Sequence, residues 1–149
     1  MKLYTLKRSQ VLPYSIEHLF SFFDRPENLE KMTPAHLNFQ MLTPQPVKMH
    51  CGAVIDYTIK IWSFPMRWTT LITDYNPPHS FIDLQLKGPY AYWHHEHRFT
   101  SQDDQTLMED QVTYALPLGP LGRLAHRIKI EKDLTHIFNY RANKITEFL

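Results

Sequence analysis

The chain has 149 residues, 43% of them hydrophobic, 13% aromatic and 21% charged, a globular composition rather than a disordered or collagen-like one. A chain this long buries roughly 68–70% of its unfolded surface, enough for a real core, and reads as one domain, 1–149. Sixteen Lys and Arg against fifteen Asp and Glu leave a net charge of +1. That argues against a nucleic-acid partner, because non-specific affinity is built from many phosphate contacts.

Residues 2–12 alternate weakly and read as a first strand. Ser15 then caps a helix predicted over 15–24. Pro26 fits the first turn of a short second helix over 26–32, with Asp24 and Glu27 suitably acidic for its start. A second strand is expected over 37–43. Five more follow over 53–62, 66–75, 79–87, 90–101 and 105–116, rich in β-branched and aromatic residues. Phe64-Pro65, Asn76-Pro77-Pro78, Gly88-Pro89 and Asp103-Asp104 separate them as turns, giving an antiparallel meander. The last element is a helix over 121–148. Ile130, Leu134, Ile137, Phe138, Arg141, Ile145 and Phe148 fall on one stripe of it. Leu121, Leu124, Ala125 and Ile128 point elsewhere, which predicts a kink or a separate first turn. The expected class is α+β: a curved antiparallel sheet of about seven strands with two short helices after strand 1, wrapped around a long C-terminal helix. Such an arrangement leaves room for a ligand between sheet and helix.

Alternation assigns the inner face. It takes Ile55, Tyr57, Ile59 and Ile61 from one strand, and Met66, Trp68, Thr70 and Ile72 from the next. It takes Ile82, Leu84 and Leu86 from the third, Ala91, Trp93, His95, His97 and Phe99 from the fourth, and Met108, Asp110, Val112, Tyr114 and Leu116 from the fifth. A two-residue turn at Asp103-Asp104 pairs Phe99 with Met108, His97 with Asp110, His95 with Val112 and Trp93 with Tyr114. A turn at Gly88-Pro89 pairs Leu84 with Trp93 and Ile82 with His95. One at Phe64-Pro65 pairs Ile61 with Trp68 and Tyr57 with Ile72. The inner face is then apolar with a polar island of His95, His97, Asp110 and, from the helix, Arg141. Asp is seldom buried unless paired, and His97 is the partner this register offers Asp110.

Several sequence features exclude other chemistry. Four glycines, Gly52, Gly88, Gly119 and Gly122, cannot build a GxxxxGK or GxGxxG phosphate loop. One cysteine, Cys51, excludes an internal disulfide framework and a Cys-rich zinc site, and makes a reducing, cytoplasmic setting the simpler expectation. Its neighbour His50 has the wrong geometry for a shared nucleophile face. No run approaches the roughly 18 apolar residues of a membrane span, and the N-terminus lacks the apolar region of a signal peptide.

The segments FFDRPENLEKMTP (22–34), GPYAYWHHEHRF (88–99), YALPLGPLG (114–122) and IFNYR (137–141) carry a resemblance covering essentially the whole chain. The sequence resembles the START/Bet v1-like (SRPBCC) superfamily, in particular its small bacterial ligand-binding branch. The resemblance implies the helix-grip fold. It leaves the activity open, since the superfamily holds lipid carriers, hormone receptors, polyketide cyclases and oxygenase domains. The metal motif of the oxygenase domains is absent. Related domains also occur beside sugar-nucleotide epimerase-like domains, which this sequence does not carry.

Binding of a hydrophobic or amphipathic small molecule is the reading favoured over catalysis. Tyr57, Trp68, Ile72, Leu84, Trp93, His95, His97, Tyr114, Phe138 and Arg141 would line the site. The alternative is a polyketide cyclase/dehydratase-like enzyme in which His97, oriented by Asp110 and assisted by His95, moves protons while Arg141 holds a carboxylate or enolate. His95, His97 and Asp110 also imitate a two-His-one-carboxylate metal site. Histidines hydrogen-bonded within the wall are the simpler reading, so no metal and no cofactor are expected. Arg123, Arg127, Lys129 and Lys132 beside Leu118, Leu121 and Leu124 suggest at most a weak contact with a lipid surface.

Overall fold

The computed structural model describes residues 1–61 and 63–149. Strand β1 (Tyr4–Leu12) leads into helix α1 (Ile16–Phe23), two 3-10 turns (Pro26–Met32 and Ala35–Leu37) and the short strand β2 (Gln40–Met41). Strands β3 (Val54–Ile61), β4 (Phe64–Asn76), β5 (Ser80–Lys87), β6 (Tyr92–Gln102) and β7 (Gln105–Ala115) follow. The C-terminal helix runs through α2 (Gly119–Ala125), a π-helical turn (His126–Ile130) and α3 (Glu131–Phe148). The seven strands form one antiparallel sheet in the order β1-β7-β6-β5-β4-β3-β2.

Local chemistry explains where most elements begin. The Ser15 side chain accepts the His18 amide at 3.2 Å and starts α1 as expected. The predicted second helix is present as a 3-10 turn with Pro26 in its first turn. The predicted strand over 37–43 shrinks to two residues, because Leu37 still belongs to a 3-10 turn that ends at left-handed Asn38 (φ 45°). Only the region around Met41 then extends far enough to pair with Tyr57. The expected change of direction early in the C-terminal helix is the π-helical turn, whose extra residue per turn rotates the helical faces. Leu134, Phe138 and Ile145 of the predicted stripe are buried, whereas Phe148 is exposed.

The Asp103-Asp104 hairpin has the expected register: Phe99 opposes Met108, His97 opposes Asp110, His95 opposes Val112 and Trp93 opposes Tyr114. The other two hairpins depart from expectation. At the first, β4 already begins at Phe64, and Ser63 (φ 68°) supplies the left-handed turn residue. Tyr57 therefore faces Trp68 and Ile61 faces Phe64. This slip is even, so the expected inner residues stay inside. Trp62, the end of the predicted third strand, lies outside the described residues. At the second, residues 88–91 form a wider loop than a two-residue turn. Gln85 clamps it, donating to the Tyr90 carbonyl at 2.8 Å and accepting the Tyr90 amide at 3.2 Å. Leu84 then opposes His94, and Asp83 opposes His95. This slip is odd, so β5 turns over: Phe81 and Asp83 face in, while Ile82, Leu84 and Leu86 face out. Ala91 is also exposed rather than internal.

The interior has two apolar regions. One gathers Leu19, Phe20, Phe81, Phe99 and Ile145, with the Phe20 ring edge-on to Phe81 and Phe99. The other gathers Trp68, Trp93, Tyr114, Leu134 and Phe138. Arg8 and Gln10 of β1 donate to the Thr135 and Ala142 carbonyls and fix α3 against that edge of the sheet.

Candidate functional site

A cavity of about 180 Å³ lies between the inner face of the sheet, the 3-10 segment after α1, and α3. Its wall is mostly apolar: Phe39, Ile55, Ile59, Trp68, Trp93 and Phe138 stand among the lining residues. An apolar cavity of about 150 Å³ is large enough to hold benzene, so this space admits at least one aromatic ring. Trp68 and Trp93 meet edge to face at 5.3 Å, and Tyr57 stacks on Trp68 at 5.9 Å. Such pairs hold a rigid aromatic wall that a ring can lie against with little loss of side-chain entropy.

Of the ten residues expected to line a ligand site, eight border this cavity: Tyr57, Trp68, Ile72, Trp93, His95, His97, Phe138 and Arg141. Leu84 does not, because the Gln85-clamped loop turns it to the outer face. Tyr114 is buried behind the wall, its hydroxyl on His126 Nε2 at 2.8 Å. Asp110 faces inward but also lies behind the wall, covered by the two imidazoles. The residue that sequence reasoning missed is Asp83, which lines the cavity. The two inner histidines were the available signal for it, since a buried protonated imidazole needs a carboxylate partner.

The polar island is a ring of two imidazoles and two carboxylates. His95 Nε2 lies 2.8 Å from Asp110 Oδ1, and His97 Nε2 lies 2.7 Å from Asp83 Oδ2. His97 Nδ1 is 3.2 Å from Asp110 Oδ1, and His95 Nδ1 is 3.6 Å from Asp83 Oδ2. The imidazoles stack with centroids 3.7 Å apart. Burial opposes a charge on His97, but hydrogen bonds to Asp110 and Asp83 outweigh it and push the imidazole up to about 9. Burial and the adjacent His97 hold His95 below its ordinary range. Burial would raise both carboxylates, yet the histidines hold Asp110 and Asp83 below the usual carboxylate range. At neutral pH the ring therefore contains Asp83 and Asp110 ionised, His97 protonated and His95 neutral. Both N–H groups of His97 are taken by carboxylates. His95 donates Nε2–H to Asp110 and keeps a lone pair on Nδ1. Both ring nitrogens of His97 thus face carboxylates, which favours its protonated form.

Two buried donors on the wall are left over. Arg141 Nε and Trp68 Nε1 have no hydrogen-bond partner among the described residues. Arg141 sits with its guanidinium 5.1 Å from the Phe138 ring. Among the described residues Arg141 forms no salt bridge, while Asp110 and Asp83 are hydrogen-bonded by His95 and His97.

A curved seven-stranded sheet gripping a long C-terminal helix over an inner cavity defines a START/Bet v1-like protein. The sequence matches the family model described as "Polyketide cyclase / dehydrase and lipid transport" over residues 12–136, and the chain belongs to that family. A search of curated proteins returned no match. Among solved structures, Zhui aromatase/cyclase from Streptomyces sp. R1128 is similar with a TM-score of 0.76 at 12% identity, covering 97% of this chain and 92% of that one. A START superfamily protein from Mycobacterium smegmatis gives 0.72 at 10% identity, covering 97% and 99%. A nucleoside-diphosphate sugar epimerase from Corynebacterium glutamicum gives 0.67 at 21% identity, covering 95% of this chain but only 28% of that one. At these identities the likeness speaks for the fold alone. No helix among the described residues is long and apolar enough to cross a membrane.

Proposed function

We infer that the chain is a single cytoplasmic binding domain, 1–149, for an amphipathic small molecule carrying an acceptor-bearing, preferably anionic, end. The observation behind this reading is that two residues lining the apolar cavity, Arg141 on α3 and Trp68 on β4, each carry a buried donor, Arg141 Nε and Trp68 Nε1, with no hydrogen-bond partner among the described residues. A buried donor without an acceptor costs about 1–3 kcal/mol. A ligand carboxylate, enolate or carbonyl oxygen that reaches either donor as its side chain shifts removes that cost, while its apolar body covers Trp93 and Phe138.

The second reading, cyclase/dehydratase-like proton transfer at His97, His95 and Asp110, draws on the family's description and on the position of both imidazoles at the cavity. Binding is favoured over it because both ring nitrogens of His97 already face Asp83 and Asp110. Proton transfer at His97 must first break one of those contacts, which leaves His95 Nδ1 as the free base for this second reading.

The exposed residues Leu118, Leu121, Leu124 and Ile128 beside Arg123, Arg127 and Lys132 would give the start of the C-terminal helix a weak affinity for an anionic lipid surface. This patch lies apart from the cavity wall.

Native mass spectrometry of gently purified protein tests the binding reading. The expected spectrum contains a second species heavier than the apo chain by one organic molecule, which leaves when acid unfolds the chain. An apo mass alone, together with unchanged tryptophan emission across a panel of aromatic acids, would count against it.

A further inference from the structure

The inward turn of β5 assembles a donor set that the expected register does not contain. Asp83, His95 and His97 offer one carboxylate oxygen and two ring nitrogens, all within 4.8 Å of one another and all bordering the cavity. The nitrogens facing Asp83 Oδ2 are His97 Nε2 at 2.7 Å and His95 Nδ1 at 3.6 Å. Ligand atoms about 2.1 Å from a metal stand about 3.0 Å apart at octahedral angles and about 3.4 Å apart at tetrahedral ones. The two spacings to Asp83 bracket both values, and the imidazoles, stacked with centroids 3.7 Å apart, would have to splay for both lone pairs to meet one ion.

The remaining ring nitrogens strengthen the case. His95 Nε2 and His97 Nδ1 both face the same oxygen of Asp110, at 2.8 and 3.2 Å. A metal-bound imidazole usually donates its other N–H to a carboxylate, which fixes its tautomer and ring angle. Here one buried carboxylate does so for two imidazoles. Each ring keeps an N–H on Asp110 and turns its other nitrogen toward Asp83. An ion bound there would take the place of the proton between His97 Nε2 and Asp83 Oδ2.

We propose that Asp83, His95 and His97 form a binding site for one divalent first-row transition metal ion, oriented from behind by Asp110 and open to the cavity on its remaining positions. Two imidazoles and one carboxylate suit Zn2+, Fe2+, Co2+ or Ni2+ better than Mg2+ or Ca2+. Three protein ligands with open positions are the arrangement of a reactive site rather than a closed structural one. Asp83 and Asp110 supply two negative charges, so a divalent ion together with Arg141 leaves one positive charge to attract an anionic ligand. The site stands on its own geometry and does not depend on whether an organic molecule occupies the cavity.

The experiment is calorimetric titration of chelator-treated wild-type protein with Zn2+ and Ni2+ at pH 7.5, paired with anomalous scattering from a crystal soaked in Zn2+. The expected result is one ion per chain with micromolar or tighter affinity and an anomalous peak between Asp83, His95 and His97. Asp83→Asn is expected to weaken binding at least about 100-fold, and Asp110→Asn by about 10–100-fold. Cys51→Ser and His36→Gln, at the exposed thiol and on a surface imidazole near His136, are expected to change nothing. Absence of one-to-one binding, or a peak at Cys51 or His36 instead, would overturn the proposal. The crystal measurement needs no variant, so it decides the matter even if Asp110→Asn fails to fold.

Discussion

The wild-type protein is expected to be most stable near pH 6.5 and to lose about 3 kcal/mol of unfolding free energy between pH 6.5 and 9. The reason is the His97 imidazole, raised to about 9 by Asp110 and Asp83. The folded chain holds that proton more tightly than the unfolded chain, whose histidine titrates near 6.5. The resulting stabilisation is complete below the unfolded value and disappears as pH rises through the folded one. On the acid side the signs reverse. His95, Asp83 and Asp110 are all lower in the folded state than in the unfolded chain. Folding then opposes proton uptake, so stability falls below pH 6.5 and again as the carboxylates titrate. Urea denaturation at fixed ionic strength across pH 4–9 measures the whole profile. His97→Gln is expected to lower stability overall and to flatten the limb between pH 6.5 and 9. A wild-type profile already flat over that interval would contradict the charge assignment.

Replacing Arg141 with Met is expected to reduce affinity for 2-naphthoate by about 10–100-fold while leaving affinity for the methyl ester within about threefold. A hydrogen bond to a charged group contributes about 1.5–3 kcal/mol, which sets the size of that loss. Met keeps an apolar stem against Phe138 and removes a buried charge that has no hydrogen bond at Nε. Folding should therefore survive the change, and thermal unfolding can verify that. Trp68 and Trp93 lie in the wall and report binding by fluorescence. Equal losses for acid and ester would mean that Arg141 shapes the cavity rather than recognising charge. Equal affinities of the wild-type protein for both compounds would remove the reason to assign an anionic end to the ligand.

How much of this was legible in the residues depends on the turns. Asp103-Asp104 is a two-residue connection, so alternation on β6 and β7 leads directly to the observed pairing of His97 with Asp110. The β3–β4 connection differs from expectation, but by an even number of residues, so Tyr57, Trp68 and Ile72 still face the cavity. The β5–β6 connection depends on a side chain, Gln85, holding the backbone of Tyr90. No periodicity encodes such a clamp. Because Ile82, Leu84 and Leu86 alternate as an inner face would, β5 reads in reverse. That single inversion hid Asp83, and with it half of the carboxylate charge beside the histidines.

The helix stripe likewise identified Arg141 as inward-facing, but whether a buried guanidinium finds a carboxylate depends on tertiary geometry. In the observed fold the histidines take both carboxylates and leave the arginine with a free donor. The polar island expected from sequence is thereby divided into two parts with different chemistry. One is a hydrogen-bonded ring of two carboxylates and two imidazoles. The other is a donor pair, from Arg141 and Trp68, left for something outside the chain.

A crystal structure of the wild-type protein with 2-naphthoate tests the binding reading most directly. The expected density places the ring system against Trp93 and Phe138, with carboxylate oxygens about 3 Å from Arg141 or from Trp68 Nε1. A cavity closed by its own side chains, or the acid found only on the outer face of the sheet, would contradict it.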